Sequence, residues 1–405
     1  MCDSTSRSND RIFSRANLLH TYVGCHLAAA GAIKLSRAPQ ISNLDTTHID
    51  NLFHAGYRPK LSSMNSVVNT LGFRLFAARR ADSLGLFLLL LVATFPAAGA
   101  SWPERVFAPY VYVGADDNFK LTRCQEFTGQ AYYTLAFIIA DKRNQPAWDG
   151  RFELATNPFA SDINALRQRG GDVIVSFGGE GGQEIARVTT NAAALTAKYQ
   201  DVIDRYQLTW LDFDIEGNSL AEVRTNHFRN LVLAALQAKN PGLRISFTLP
   251  VDPQGIPDDG LKLLADAHSV GVKIYSANVM TMDFDSEFLK HQTMAEVSIA
   301  SALKAREQCQ AIDPAIQIGL TPMIGQNDEK SEVFTQADAR ALLAWAEAQP
   351  WVCSVSFWSA NRDARTSGRN KKADDTFSGT PQKPWDFTQI FKAFTKVQGG
   401  WPEKQ

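Results

Sequence analysis

Between residues 106 and 359 the sequence repeats one alternation. A short run rich in β-branched and aromatic residues is followed by a longer segment whose apolar residues fall three and four apart. The short runs are residues 106–113, 132–140, 172–178, 210–216, 244–251, 275–283, 316–324 and 352–359, each bounded by Gly, Pro, Asn or Asp. The spacing predicts helices over residues 192–206, 221–239, 294–312 and 335–348, and a last one over 386–396. Eight strands, most followed by a helix, predict an α/β fold of the (β/α)8 TIM-barrel type, which takes about 250 residues. A doubly wound open sheet is the rival. It would carry a Gly-rich nucleotide loop after its first strand, and Gly114, Ala115, Asp116 and Asp117 do not form one. No Pro/Thr linker or second module is visible, so residues 101–405 read as a single domain.

Charge narrows the partners. Lys and Arg total 41 against 42 Asp and Glu, a formal net charge of −1, so nothing electrostatic points to a nucleic acid. Arg79 and Arg80 precede an apolar run at 84–95, which ends in Pro96, Ala97, Ala98, Gly99 and Ala100. A basic flank, a dozen apolar residues and a small-residue end describe a secretory signal peptide. The run is short of the roughly 20 residues that cross a bilayer. Met64 would start a signal of ordinary layout over 64–100. Residues 1–63 show no sustained period and read either as an over-extended gene model or as an unstructured leader. In the second case the apolar run acts as an internal signal anchor. The expectation is a secreted, extracellular, monomeric protein without stable membrane association after cleavage.

After such cleavage three cysteines remain, Cys124, Cys309 and Cys353, which allow one internal disulfide at most. No N-x-[ST] sequon occurs, so N-glycosylation is not expected.

The fourth strand carries the chemistry. Residues two apart on a strand share a face, so Asp212, Asp214 and Glu216 point one way and Leu211, Phe213 and Ile215 the other. In a barrel the apolar set meets the helices, and the carboxylates point inward at the C-terminal end, where barrel sites are built. Like charges at steps of about 7 Å push at least one pKa upward, which is what a general acid needs. Glu216, outermost, is the natural acid. The alternatives are a solvated acidic strand end or a metal cluster. A metal cluster usually recruits His or further carboxylates, and His227, His268 and His291 all fall in helical or loop-like segments. Neither a metal nor a cofactor is expected.

These residues resemble glycoside hydrolase family 18, whose fourth-strand signature is D-x-x-D-x-D-x-E. Thr209, Asp212, Asp214 and Glu216 match it at three of four acidic positions. Ser176, Gly178 and Gly179 resemble the family's S-x-G-G. Met280, Met282 and Asp283 resemble its M-x-Y-D, and Trp358 stands where the last strand's Trp floors the sugar site. The likeness runs from about Val106 to Asp363 and looks closest to bacterial-type, single-domain chitinases. The resemblance implies a polymer of N-acetylglucosamine as substrate and substrate-assisted, retaining hydrolysis. Glu216 would protonate the glycosidic oxygen, Asp214 would orient the 2-acetamido group that attacks, and Asp212 would tune Asp214. Ser176, Gly178, Gly179, Met282, Asp283 and Trp358 would contact substrate.

Two departures stand out. Thr209 replaces the signature's first Asp and falls on the opposite face, where its role should be structural. Met282 replaces the Tyr whose hydroxyl steadies the acetamide, and a bond of that kind is worth about 2–4 kcal/mol. Phe284 also lacks a hydroxyl, and Tyr275 would reach only if loops fold back. Asp283, adjacent to it, is the candidate to hold the acetamide or its water. The loss motivates one alternative, a chitin-binding lectin of the same fold with weak or no turnover. An endo-β-N-acetylglucosaminidase acting on glycoprotein glycans is the other. The run 178–182, with Glu180 in it, lacks the Lys and Ser/Thr of a phosphate loop and reads as a flexible loop at the barrel mouth.

Overall fold

A proline decides how the sheet closes. The computed structural model describes residues 102–115, 118–156, 159–365 and 372–395, so the expected leader 1–63 and signal segment 64–100 lie outside the described residues. Strand β1 runs in two pieces, Val106–Phe107 and Tyr110–Tyr112. It is followed by β2 (Tyr132–Ala140), β3 (Asp172–Gly178), β4 (Trp210–Asp214), β5 (Arg244–Pro250), β6 (Ile274–Met280), β7 (Gln317–Thr321) and β8 (Val352–Val355). Neighbours from β2 to β8 pair in parallel in chain order. The first piece of β1 pairs with β8 (Val106 with Ser354), and the second pairs with β2 (Tyr110 with Thr134). Pro109, between the pieces, has no N–H to donate, but its carbonyl accepts from Thr134 N at 3.0 Å. One broken strand thus seals both edges and makes an eight-stranded barrel.

Helices follow the strands: α1 (Leu121–Thr128), α2 (Ala160–Gln168), α3 (Ala192–Tyr206), α4 (Val223–Lys239), α5 (Asp258–Ser269), α6 (Met294–Ile312), α7 (Gln336–Ala348) and α8 (Asp386–Phe391). Helices α6 and α7 begin with reciprocal caps, Thr293 with Glu296 and Thr335 with Asp338. Each pair satisfies backbone N–H groups that a helix start leaves open.

The parity expected for β4 is realised. Leu211, Phe213 and Ile215 are fully buried against the helical layer. Phe213 stacks on Phe177 of β3 at 5.2 Å, and Tyr199 of α3 meets both rings edge-on. The inward face is unusual for a barrel, where branched apolar side chains normally fill the layers. Here it carries Thr134, Ser176, Asp212, Ser246, Thr248, Ser276, Asn278 and Ser354, all buried. Below them aromatics close the barrel's N-terminal end. Trp102 lies on Tyr132 and Trp210, Trp210 meets Tyr275 at 4.7 Å, and the Arg244 guanidinium sits 4.4 Å over Tyr275.

Several expected strands overshoot the ladder. The regular ladders of those over 210–216, 275–283, 316–324 and 352–359 end at Asp214, Met280, Thr321 and Val355; isolated backbone links such as Met323 beside Trp358 continue beyond them, where the chain builds the mouth. Two antiparallel additions were not foreseen. Pro146–Trp148 and Phe152–Glu153 extend β2, and Gly325–Gln326 pairs with Val333–Phe334 above β7. The last helix is shorter than expected: α8 gives way to a 3-10 turn at Lys392–Phe394. Cys124, Cys309 and Cys353 are buried free thiols. Among the described residues no helix is long and apolar enough to cross a membrane.

Candidate active site

The inward carboxylates of β4 climb from a closed setting to an open one. Asp212 lies deepest, 2% exposed, inside a cage of hydroxyls. Ser176 Oγ (2.7 Å), Ser246 Oγ (2.6 Å), Thr248 Oγ1 (2.9 Å) and Tyr110 OH (3.0 Å) all donate to it. The donors are themselves aimed from further around the barrel. Thr321 Oγ1 donates to Asn278 Oδ1 at 2.9 Å, and Asn278 Nδ2 donates to Thr248 Oγ1 and Tyr110 OH at 2.9 and 3.2 Å. Hydrogen bonds from β1, β3, β5, β6 and β7 thus converge directly or in relay on one carboxylate. Burial raises the Asp212 pKa, and the hydroxyls work against that rise.

Asp214, the next inward residue, is also buried but has no such cage. Burial pushes its pKa well up, and the carboxyls of Glu216 and Asp212 push further. Its Oδ1 has no hydrogen-bond partner among the described residues. A buried, unpartnered acceptor is costly to keep, so its position suits a donor arriving with a ligand.

Glu216 is half-buried and outside the ladder, capping a short turn, Gly217–Leu220. Its backbone remains extended, with φ −142° and ψ 176°, so the alternation survives the end of the strand. Burial first, then the Glu180 carboxylate, push its pKa up to about 7, with Asp283 adding less. The neighbouring Glu216 carboxyl raises the cost of ionising Asp214.

Asp214 and Glu216 lie at the floor of a cleft of about 580 Å³ at the C-terminal end of the barrel, with Asp212 beneath it. Trp358 forms part of its wall, stacked on Phe137 at 5.7 Å and 13°, with Tyr112 5.6 Å away. Such a flat aromatic surface suits the apolar face of a sugar ring. Met280, Met282 and Met323 contribute an apolar stretch, and Thr248 and Thr321 contribute hydroxyls.

The residues singled out from the sequence separate in depth. Glu216, Asp214, Gly178, Met282, Asp283 and Trp358 border the cleft. Ser176 does not, which corrects its expected contact with substrate, while Gly179 is partly exposed between the lining residues Gly178 and Glu180. Ser176 is fully buried and bonded to Asp212, one layer beneath. Gly179 donates its N–H to Asp214 O at 3.0 Å and has its Cα against the Phe137 ring. Gly178, at φ +100°, lies so close that a Cβ there would meet Asp214 O at 2.1 Å. Both glycines therefore bring the end of β3 against the end of β4. Thr209 is on the far face, accepting from Trp102 Nε1 at 2.9 Å. Tyr275 belongs to the aromatic floor at the other end of the barrel, so it supplies no hydroxyl to the mouth.

Sequence reading missed Tyr110, Tyr112, Phe137, Asp149, Asp328 and Asp375, all of which border the cleft. The alternation of Tyr110, Val111 and Tyr112 was a usable signal for the first two. The three aspartates come from loops, where no periodicity reports direction. His227 and His268 pair with Asp266 and Asp313 at the surface. No group of three or more His, Cys, Asp or Glu among the described residues is placed to hold a metal ion.

Comparison with known proteins gives a consistent set. No family model matches the chain. It is 32% identical over 317 residues to a probable bifunctional chitinase/lysozyme of Escherichia coli (strain K12), covering 73% of this chain and 35% of that one. It is 33% identical over 294 residues to endochitinase 11 of Metarhizium anisopliae, covering 67% and 56%. The chain thus spans about a third and just over half the length of these curated relatives. Active domain 2 of the thermostable chitinase from Pyrococcus furiosus, solved with chito-oligosaccharides, superposes with a TM-score of 0.66 at 34% identity. That match covers 73% of this chain and 96% of the solved one.

Proposed function

This chain belongs to glycoside hydrolase family 18, the chitinases, and from that premise we propose that it hydrolyses β-1,4 links of chitin or chitooligosaccharides with retained configuration. The observation that carries the reading is the carboxylate ladder at the cleft floor. Glu216 is pushed up to about 7, so it holds a proton at mildly acidic pH. Beside it Asp214 offers an unpartnered acceptor.

Glu216 donates its proton to the glycosidic oxygen as the bond to the anomeric carbon breaks. The substrate's own acetamido carbonyl oxygen attacks that carbon, forming an oxazolinium ion. Asp214 Oδ1 accepts the acetamide N–H, and the negative charge of the pair offsets the ring's positive charge. Asp212, held by its hydroxyl cage, keeps Asp214 in place from below. Glu216, now a carboxylate, takes a proton from water as that water adds to the anomeric carbon. Two inversions give retention. Trp358 and Phe137 support the sugar ring, while Met282 leaves the acetamide without the family's tyrosine hydroxyl.

The test is product stereochemistry and its loss in one variant. Proton NMR of fresh hydrolysate from a chitin hexamer should show the β-anomer first. Glu216→Gln should lower the rate by about 10²–10⁴ while chitin binding persists. Ordinary turnover in that variant removes the assignment, and binding without hydrolysis in the unmodified protein identifies a lectin.

Export as a monomer is part of the same proposal, supported by the signal-like segment over 64–100. Terminal sequencing of secreted material should place its first residue just after Ala100. Light scattering should give the mass of one chain.

A further inference from the structure

Next to the Met282–Asp283 stretch of the cleft wall sits a carboxyl that the mechanism does not use. Glu332 is fully buried and does not border the cleft. Neither of its oxygens makes a hydrogen bond of full geometry among the described residues. A buried carboxyl in that state is costly to keep. Burial, then the Asp283 carboxylate, push its pKa up to about 8, with Glu329 adding less. Working the other way are the backbone N–H groups of Asp283 and Phe284, which its oxygens face.

The loop that carries Glu332 is stiff. Residues 327–332 wrap the Gln326 side chain, whose Nε2 lies 2.9 to 3.3 Å from the carbonyl oxygens of Asn327, Glu329, Lys330 and Glu332. Asn327 Nδ2 donates to Met323 O and Gly325 O at 2.9 and 3.0 Å. The loop's ends pair as strands, Gly325–Gln326 with Val333–Phe334. In return Asp283 Oδ1 accepts from Glu329 N at 3.1 Å. Each loop thus turns a carboxyl towards the other's backbone N–H groups, and the loops after β6 and β7 are clasped in both directions. The receiving side needs such a hold. Asp283 has φ +51°, a left-handed conformation that residues with a side chain adopt only where their surroundings impose it. It follows Met282 directly, and both border the cleft.

We propose that Glu332 is a positioning residue for the reacting position: through the backbone of Asp283 and Phe284 it holds Met282 and Asp283 at the cleft wall without touching substrate itself. The effect on turnover rests on the hydrolase reading; the hold on the loop does not.

The experiment uses two variants of the full chain at mildly acidic pH, where Glu332 is uncharged. Glu332→Met keeps the side-chain volume and removes both oxygens; Glu332→Gln is the uncharged counterpart and keeps one acceptor. With a chitin hexamer, Glu332→Met should lose about tenfold in kcat while KM stays within about twofold, the split left by losing an interaction that counts in the transition state. Glu332→Gln should recover kcat to within about threefold of the unmodified protein. Hydrogen exchange followed by mass spectrometry supplies a readout independent of turnover. The peptide holding the Asp283 and Phe284 amides should exchange about tenfold faster in Glu332→Met than in the unmodified protein. Unchanged exchange, unchanged kcat, a loss confined to KM, or no recovery in Glu332→Gln overturns the proposal. If Glu332→Met does not fold, the unmodified protein decides. Its Asp283 and Phe284 amides should exchange more slowly than those of exposed Asp285 and Ser286, and equal rates overturn the hold. Absence of products from the unmodified protein removes the hydrolase reading alone, and exchange still decides whether Glu332 holds the loop.

Discussion

At the scale of single residues, two adjacent inward carboxyls raise the cost of charging in a half-closed site. Asp214 is the more buried and Glu216 the more accessible, which divides their work into holding and transferring. In the proposed mechanism activity depends on the protonated form of Glu216, so kcat/KM should fall about tenfold per pH unit once pH passes roughly 7. A pH–rate profile reads this directly, and a flat profile to pH 9 contradicts it. Stability should follow the same groups with a definite sign. A carboxyl whose pKa is raised by folding binds its proton more tightly folded than unfolded. Its contribution is therefore lost as pH rises from the ordinary value of 4.5 towards about 7. Glu216→Gln should raise unfolding free energy by on the order of 2 kcal/mol at alkaline pH and by little at acidic pH. Urea titrations on both sides of that window check it.

Among the elements, β3 and β4 meet more closely than ordinary side chains permit. Gly178 has φ +100°, and a Cβ there would stand 2.1 Å from Asp214 O, on backbone that cannot swing aside. Gly178→Ala should cost about 2–4 kcal/mol and should lower activity, because the displaced backbone carries Asp214. Gly181 is the control: a Cβ there meets nothing within 4 Å. Gly181→Ala should change stability by no more than about 0.5 kcal/mol. Thermal melts of the two variants decide the point. The loop bearing Glu180 is held from behind, where Tyr199 OH and Arg229 Nη1 donate to buried Glu184 at 2.9 and 3.3 Å. That anchoring keeps Glu180 near Glu216 and links the third βα loop to the acid's pKa.

For the molecule as a whole, the C-terminal segment completes the seal that β1 begins. Phe391 of α8 stacks 5.8 Å from Phe107 of β1 and meets Phe357, just beyond β8. Asp363, fully buried, accepts from Phe387 N, Thr388 N, Thr388 Oγ1 and Gln382 Nε2 at 3.1, 2.7, 2.7 and 2.8 Å. Removing that acceptor strands several buried donors. Asp363→Ala should cost about 3–5 kcal/mol and lower Tm by roughly 10 °C. Its kcat at ambient temperature should stay close to the unmodified protein's, because the Asp363 side chain bonds to Gln382, Phe387 and Thr388, none of which lines the cleft. A variant that melts normally, or that is inactive while folded, refutes this account.

How much of this was legible depends on which features are periodic. Eight strands, the barrel and the shared face of Asp212, Asp214 and Glu216 follow from alternation, because side chains on extended backbone must point to alternate sides wherever the strand lies. The place of Thr209 on the other face follows for the same reason. Alternation assigns a side but not a depth. Ser176 was therefore taken for a substrate contact, although its register beside Asp212 keeps it one layer below Asp214 and off the cleft. The cage around Asp212 was equally hidden, since Tyr110 lies 102 residues away and Thr248 36 residues away along the chain. Only closure of the barrel makes them neighbours. The acidic rim was the least legible part, because Asp149, Asp328 and Asp375 sit on loops whose directions are set by packing rather than by period. The sequence by itself determined the strand pattern, the barrel and the reacting carboxylates. Tertiary structure decided which of them is dry, which is open, and what charge surrounds the entrance, because desolvation and distance exist only between parts of the chain brought together.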